Sequence, residues 1–369
     1  MNSSIHVAAL AGTLLLSAMA SCGGKVNPDG PDGDAGSSET TSSRPPSSKS
    51  SKSAGWGGRN DDPRPFVVTD EDDDSSDVPK KDGGAAATVP TGVGLVIMAS
   101  GQASPYGITL DASNVYWTNC ASDGSVMRMS KTGGKPVALV TSQANPRPVA
   151  VDATWLYWGN GTMIARQPLA GGAIEYLDFN GASDFASDAD YLYTTTNLTD
   201  GITRISKASG TPKVLAAGLV APLGAITVHE TTVYWTASAD TGKVMSSPIG
   251  GGVLRTLATS ESIPMGIATD GTNVYWVNHD GAVRTMPNAG GEIRTLASKQ
   301  GGPLGLVLDG TVLYWTNFDS GSVMKLDVAT AGPPKAIATG LDKPAKIVVD
   351  GTSVYWTELG GGRIMKAPK

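Results

Sequence analysis

The chain has few of the residues that enzymes use for acid–base or nucleophilic chemistry. Its 369 residues include three histidines, two cysteines and four phenylalanines, and only 17% are charged. It contains no G-x-S-x-G or HExxH motif, so the sequence gives no sign of these two common hydrolase sites. No cluster of Lys and Arg is present, and the net charge is -6. A nucleic-acid partner is therefore not expected, because neutralising phosphates requires such a cluster.

Glycine is abundant instead, with 47 residues in the chain. Many glycines and few charges suit short strands joined by tight turns better than helices with charged faces. We therefore expect an all-β fold.

The N-terminal segment is typical of an exported protein. The apolar run from Val7 to Ala20 is shorter than the roughly 20 residues that span a bilayer, but it fits the core of a signal peptide. Cleavage after Ala18-Met19-Ala20 would give a secreted protein. Alternatively, Ser17–Gly23 (SAMASCG) resembles the lipobox of bacterial lipoproteins, in which the thiol of the cysteine is acylated.

We favour acylation of Cys22, which would anchor the protein to a membrane of the cell envelope. Gly23 follows this cysteine in place of the Asp that can retain lipoproteins at an inner membrane, so an outer membrane is expected if the host has one. Acylation would also leave Cys120 without a disulfide partner in the chain.

Three regions follow from the composition: a signal peptide over residues 1–22, a linker over 23–91 and a folded domain over 92–369. The linker is rich in Ser, Gly, Pro and Asp and poor in apolar residues, so it cannot bury enough surface to offset the entropy cost of ordering. We expect a disordered tether with an r.m.s. length of about 45 Å.

Tyrosine recurs in similar segments of the predicted folded domain, at steps of 41, 36, 41, 41, 39 and 41 residues. A period near 40 residues without a helical pattern is typical of a four-stranded propeller blade. The repeat from Pro264 to Ala297 shows four segments of alternating polarity that end in turn residues. Seven repeats predict a seven-bladed β-propeller. The repeated tyrosines are Tyr116, Tyr157, Tyr193, Tyr234, Tyr275, Tyr314 and Tyr355.

The two ends of the domain are expected to share one blade. The last repeat stops after its third strand, at Arg363–Lys369, while Gly92–Ala99 (GVGLVIMA) has the pattern of an isolated fourth strand. Joining them would remove an exposed sheet edge. We therefore expect the N-terminal strand of the domain to complete blade 7.

The repeated Tyr-Trp-Thr segment resembles the YWTD repeats of the low-density lipoprotein receptor family, and the phrase DGTNVYW is similar to bacterial NHL and SMP-30-type propellers. The resemblance covers residues 93–369 and implies a propeller fold. It does not imply receptor function, because propellers carry unrelated activities. The Asp of the YWTD motif is replaced here by Asn119, Asn160, Ala237, Asn278, Asn317 or Glu358.

Functional residues are expected where one blade departs from the repeat, because a residue found in every blade is most simply scaffold. Near the start of the inner strands, where four repeats have glycine, the departures are Arg147, Asp184 and Lys346, with Tyr106 beside them. We expect these four to lie at the mouth of the central channel, where they either bind a ligand or pair with one another.

Loops between the second and third strands of each blade should open on the same face. Candidate residues there are His279, Asp280, Phe318 and Glu358. These polar loops are either solvated turns or oxygen ligands for calcium, which takes six to eight oxygens. Phe318, at a loop tip, is a candidate exposed contact for a partner.

Two functions remain open at this point. An SMP-30-type calcium-dependent lactonase would need a Glu, an Asn and an Asp around one metal, but Asp184 is the one acid expected near the channel mouth. We therefore favour a monomeric binding module with an unknown protein or glycan partner, no catalytic residues and no evident cofactor, although calcium is possible. The lactonase is the alternative.

Overall fold

The described part of the chain is built from β-strands alone. In the computed structural model it contains 28 strands in seven four-stranded antiparallel sheets. No helix among these residues could cross a membrane. The predicted signal peptide, Cys22 and most of the predicted tether lie outside the described residues. The structure describes residues 90–160, 162–178, 181–196, 201–219, 223–330 and 332–369.

Each sheet is one blade, whose four strands follow one another from the channel outward. Blade 1 contains β2 (Pro105–Leu110), β3 (Asn114–Asn119), β4 (Gly124–Ser130) and β5 (Val137–Gln143). Blade 2 contains β6 (Val149–Val151), β7 (Trp155–Gly159), β8 (Ile164–Pro168) and β9 (Glu175–Asp178). Blade 3 contains β10 (Asp184–Ser187), β11 (Tyr191–Thr196), β12 (Gly201–Ser206) and β13 (Pro212–Ala216).

The remaining blades follow the same order. Blade 4 contains β14 (Leu223–His229), β15 (Thr232–Ala237), β16 (Gly242–Pro248) and β17 (Arg255–Glu261). Blade 5 contains β18 (Pro264–Thr269), β19 (Asn273–Asn278), β20 (Ala282–Pro287) and β21 (Arg294–Ala297). Blade 6 contains β22 (Pro303–Asp309), β23 (Val312–Asn317), β24 (Ser322–Asp327) and β25 (Lys335–Thr339). Blade 7 contains β26 (Pro344–Val349), β27 (Ser353–Glu358), β28 (Arg363–Pro368) and β1 (Val96–Ala99).

The ring closes through β1, as the sequence predicts. This strand pairs antiparallel with β28, with Val96 opposite Lys366, and its last residue Ala99 is buried. The inner strands contact one another around the whole ring, including β26 with β2. The prediction of a seven-bladed all-β propeller is therefore confirmed.

The threonine of the Tyr-Trp-Thr segment links neighbouring blades. Thr118 Oγ1 accepts a hydrogen bond from the N–H of Gly107 in its own blade, at 2.9 Å, and donates to the carbonyl of Arg147 in blade 2, at 2.7 Å. Thr357 Oγ1 donates to the carbonyl of Tyr106 at 2.8 Å, so the same bond joins blade 7 to blade 1. Blades 4 and 6 repeat the bond to the next blade through Thr236 and Thr316.

The repeated tyrosine and an aspartate five residues before it form a second scaffold contact. In blade 5, Tyr275 Oη donates to Asp270 Oδ2 at 2.8 Å, and Asp270 Oδ1 accepts from the N–H of Asn273 at 2.6 Å. Burial and the Asp270 carboxylate raise the pKa of Tyr275 to about 12. Burial alone would raise the pKa of Asp270, but its hydrogen bonds outweigh burial and hold that pKa below its usual value.

A third repeated contact was not predicted. In four blades the indole N–H of the motif tryptophan donates to a Gln or Glu that lies 15 residues earlier in the chain. In three of these blades the asparagine two residues after the tryptophan donates to the same side chain. We call this arrangement the tryptophan clamp. Its indole bonds are Trp117–Gln102 (3.0 Å), Trp158–Gln143 (2.9 Å), Trp276–Glu261 (2.8 Å) and Trp315–Gln300 (3.2 Å).

Candidate functional site

The central channel contains a cavity of about 390 Å³ lined by the inner strands of all seven blades. At one end, the cavity is lined by the residues that correspond to Gly107 of β2, and we call these residues its first layer. From there the lining continues toward the C-terminal ends of the inner strands. Side chains at the strand ends are partly exposed, as at Leu110 and Thr269, whereas those at the strand starts are buried. The cavity therefore opens toward the ends of the inner strands, and we call it the funnel.

Apolar side chains pack together at the start of the inner strands of blades 5, 6, 7 and 1, beyond the first layer of the funnel. They belong to one hydrophobic cluster, none is more than 8% exposed, and none lines the funnel. We call this group the plug. Its residues are Tyr106, Met265, Leu304, Phe318 and Ala345.

An ion pair crosses the channel at the closed end of the funnel. Lys346 Nζ of blade 7 lies 3.0 Å from Asp184 Oδ1 of blade 3, and these two blades are not neighbours in the ring. The two side chains are 21% and 18% exposed. The same layer in blades 1, 5 and 6 is glycine, which leaves room for the long lysine side chain. Asp184 and Lys346 are the only charged residues that line the funnel in the described chain.

The lysine of the ion pair is expected to stay protonated at neutral pH. Burial acts to lower the pKa of Lys346, but the Asp184 carboxylate outweighs it, and the pKa lies above its usual value. Asp184 Oδ2 also accepts a hydrogen bond from the N–H of Ile226 at 3.3 Å. A lysine that stays protonated is a poor nucleophile.

Tyr106 and Arg147 lie beside this pair, so all four residues predicted for the channel come together. The guanidinium carbon of Arg147 is 5.2 Å from the centroid of the Tyr106 ring, a cation–π distance. Both groups are close enough to affect the pKa of Lys346. Asp184 and Lys346 line the first layer of the funnel, whereas Tyr106 belongs to the plug and neither Tyr106 nor Arg147 lines the cavity. A ligand-binding role for these four residues stays a prediction.

The four predicted face-loop residues do not form one site. His279 Nε2 lies 3.3 Å from Asp319 Oδ2, and burial lowers the pKa of His279 against the opposing effect of that carboxylate. Asp280 caps a turn by accepting from the N–H of Ala282 at 3.3 Å. His279 therefore contacts the loop of the next blade, while Asp280 stabilises its own turn.

Two of the face-loop predictions need correction. Phe318 is 7% exposed and belongs to the plug, so it is not an exposed contact. Glu358 is fully buried at the end of β27 and pairs with Arg363, and burial raises its pKa. The loop position of Phe318 does not show its burial, because the plug brings together residues that lie far apart in the chain.

The predicted calcium site remains a prediction. Within the described residues, no group of three His, Cys, Asp or Glu side chains lies close enough to hold a metal ion. The asparagines that precede three of these loops donate their side-chain N–H groups to the tryptophan clamp, namely Asn119, Asn278 and Asn317.

Cys120 is fully buried. The chain contains only one other cysteine, Cys22, which lies outside the described residues. A disulfide of Cys120 within the chain and acylation of Cys22 therefore exclude one another.

We predict that the two partners of the cross-channel ion pair depend on each other for stability. Lys346→Met or Asp184→Asn alone should lower the free energy of unfolding by about 1–3 kcal/mol, because each leaves a partly buried charge unpaired. The double variant should lose less than the sum of the two single losses. Urea unfolding of the four proteins measures this coupling, and strictly additive losses would contradict it.

Comparison with known proteins supports the β-propeller fold but does not show a family or a function. No protein-family model and no curated protein matches the sequence. Virginiamycin B lyase from Staphylococcus aureus is similar in structure, with a TM-score of 0.64 and 14% identity over 74% of this chain and 98% of that one. The WD40 β-propeller domain of Doa1 has a TM-score of 0.61 and 14% identity over 76% of this chain and 97% of that one.

A structure of a nidogen–laminin complex is 23% identical over 61% of this chain and 91% of that chain, but its TM-score of 0.48 is too low to carry an argument. At 14% identity, the lyase and the WD40 domain show a shared β-propeller fold alone.

Proposed function

We propose that this protein is an exported binding module whose ligand enters the funnel and contacts the Lys346–Asp184 pair. The observation that supports this proposal is the form of the channel: a cavity of about 390 Å³ that ends at a single ion pair in a layer of otherwise small or uncharged residues. Cavities of roughly 300–1,000 Å³ are usual for small-molecule sites in proteins. The ligand is therefore a small molecule, or one residue of a larger glycan or protein.

The walls of the funnel favour a polar ligand. Each inner strand is the edge strand of its sheet, so its N–H and C=O groups on the channel side have no partner strand. Hydroxyl side chains such as Thr109 and Thr227 line the cavity as well. A ligand with several hydrogen-bonding groups could use these edges while a polar group reaches the ion pair.

The charge on Lys346 at the closed end of the funnel supports binding over catalysis. Lys346 is held protonated by Asp184, so the lysine is not prepared to act as a base or nucleophile at neutral pH. Calcium-dependent lactone hydrolysis would need further ligands beside Asp184 within the funnel. The lactonase is therefore not the function that we propose.

The binding proposal predicts ligands whose effect depends on the ion pair. In a thermal-shift screen of neutral sugars, sugar acids and amino acids, at least one compound should raise the melting temperature of the wild-type chain. The same compound should have no effect on the Lys346→Met/Asp184→Asn double variant, which keeps the side-chain sizes but removes both charges. Compounds that stabilise both proteins equally, or the absence of any stabilising compound, would contradict a ligand site at the Lys346–Asp184 pair.

A calcium titration by calorimetry on the wild-type chain separates the two functions. We expect no heat of binding and no change in melting temperature with chelator. Tight calcium binding together with lactone hydrolysis would replace the binding module by the enzyme.

Export and the lipid anchor are part of the same proposal and need their own test. We predict that the chain, expressed in a bacterium with a lipoprotein pathway, is recovered from membranes with a mass that includes a lipid on Cys22. Cys22→Ser should leave the protein unlipidated and release it from the membrane.

Ordinary cleavage of the signal peptide, without a lipid, would give a different mass in the same experiment. A protein that begins at Ser21 and gains about two mass units on reduction would show ordinary cleavage and a disulfide between its two cysteines. That result would make it a secreted protein without an anchor.

A further inference from the structure

The Lys346–Asp184 pair offers hydrogen-bond donors and acceptors to the cavity at one place. An ammonium group has three N–H donors, and an ionised carboxylate accepts up to about four hydrogen bonds. The two groups contact each other, and Asp184 also accepts from the N–H of Ile226. Both side chains are partly exposed and line the funnel, so a ligand there can accept from the lysine and donate to the aspartate.

A ligand with a net charge would fit this pair poorly. The two side chains balance each other's charge, and no other charged residue of the described chain lines the funnel. An anion would compete with Asp184 for the ammonium group, and a cation would compete with Lys346 for the carboxylate. Either would leave one partly buried charge without its partner, which is costly. A neutral ligand can contact both groups while the pair stays intact.

Carboxylates border the mouth of the funnel. In six blades an aspartate ends or directly follows the inner strand, at the end toward which the cavity opens. Burial alone would raise the pKa of four of them, but hydrogen bonds outweigh burial and hold it below its usual value. Lysines of neighbouring blades pair with three of the six. The remaining carboxylates disfavour the entry of an anion. The six are Asp111, Asp152, Asp188, Asp270, Asp309 and Asp350.

The wall of the funnel provides a second level of hydrogen-bonding groups. Thr109 of blade 1 and Thr227 of blade 4 line the cavity two residues beyond the first layer, in the blades next to those of Lys346 and Asp184. Two residues of a strand span about 6.6 Å, which is close to the width of one sugar ring with its hydroxyl groups. A ring with hydroxyl groups on opposite sides can therefore contact both levels.

We propose that the funnel binds one neutral sugar residue, with hydroxyl groups on two adjacent carbon atoms bonded to Lys346 and Asp184 together. This inference rests on the binding function proposed above and names its ligand class. One hydroxyl accepts from the ammonium group, and its neighbour donates to the carboxylate. Adjacent hydroxyl oxygens are separated by about one hydrogen-bond length, which matches the 3.0 Å between Lys346 Nζ and Asp184 Oδ1.

Matched ligands that differ in charge test this class. Binding of glucose, galactose and mannose to the full-length chain is compared with that of their uronates, their 2-amino sugars and serine, by saturation-transfer NMR and calorimetry. At least one neutral sugar should bind, and its charged counterparts should bind about tenfold or more weakly, because they separate the ion pair.

The charge series separates this proposal from the proposed function. A uronate, an amino sugar or serine that binds more tightly than every neutral sugar would overturn the neutral class and leave a ligand site in the funnel. No binding by any compound of the series would overturn both. A methyl glycoside that binds as well as its free sugar supports the proposal for the end residue of a glycan, and one that binds only as the free sugar supports it for a monosaccharide.

Deoxy analogues of the sugar that binds test the contact with two hydroxyl groups. Removing either of two adjacent hydroxyls should weaken binding about tenfold or more, because one member of the ion pair loses its partner. Removing a hydroxyl elsewhere on the ring should have a smaller effect. Equal affinities of all the deoxy analogues would overturn this contact.

Two size-matched variants test the location of the sugar. Ala186→Leu narrows the funnel above the ion pair and should abolish binding, whereas Ala329→Leu, in an exposed turn outside the funnel, should bind like the wild-type chain. Binding that persists in a folded Ala186→Leu protein would overturn the site. If that variant does not fold, the Lys346→Met/Asp184→Asn double variant takes its place, and unchanged sugar affinity in it would overturn the proposal.

Discussion

The hydrogen bond from the motif threonine to the next inner strand is the interaction on which the rest of the ring depends. It brings neighbouring inner strands so close that a side chain at the first channel layer has little room. A Cβ added at Gly305 would lie 2.5 Å from the carbonyl oxygen of Ala345, which accepts the hydrogen bond from Thr316. Two blades lack the threonine, since blade 2 has Gly159 and blade 5 has Val277 at that position. In blade 2, the carbonyl of Asn160 accepts a backbone hydrogen bond from the N–H of Ala182 in blade 3, at 2.7 Å.

The small side chains of that layer are what allow an ion pair to span the channel. Lys346 can reach Asp184 in a non-adjacent blade because three of the seven positions in the layer are glycine. Beyond this layer, the longer side chains of the plug fill the channel. Seven nearly uniform repeats thus produce one charged ion pair at the closed end of the funnel. This ion pair distinguishes the channel from a core packed with apolar side chains alone.

The repeat made the fold predictable, because seven copies of one pattern define both the blade and the number of blades. The four channel residues were also predictable as departures from the pattern. Their location at a closed end was not, because it depends on Met265 and Leu304 meeting Tyr106 across blade boundaries. Phe318 was misplaced for the same reason: a loop position alone does not show what covers it.

The tryptophan clamp was missed although the sequence contains its signal. Gln102, Gln143 and Gln300 each precede a motif tryptophan by 15 residues, and each precedes the proline of an inner strand by three. The burial of Glu358 agrees with its place in the repeat, because the residue that corresponds to Asn119 is buried in every blade in which its side chain is described.

The most direct test of the account is whether the channel is open at one end and closed at the other. Two conservative variants, Ala186→Cys in the funnel wall and Ala345→Cys in the plug, place a thiol at each level. Their reaction rates with a small maleimide are compared with the wild-type chain, in which Cys120 is buried. The account predicts rapid labelling at position 186 and labelling at position 345 only on unfolding. Equal rates at the two positions in the folded protein would contradict it.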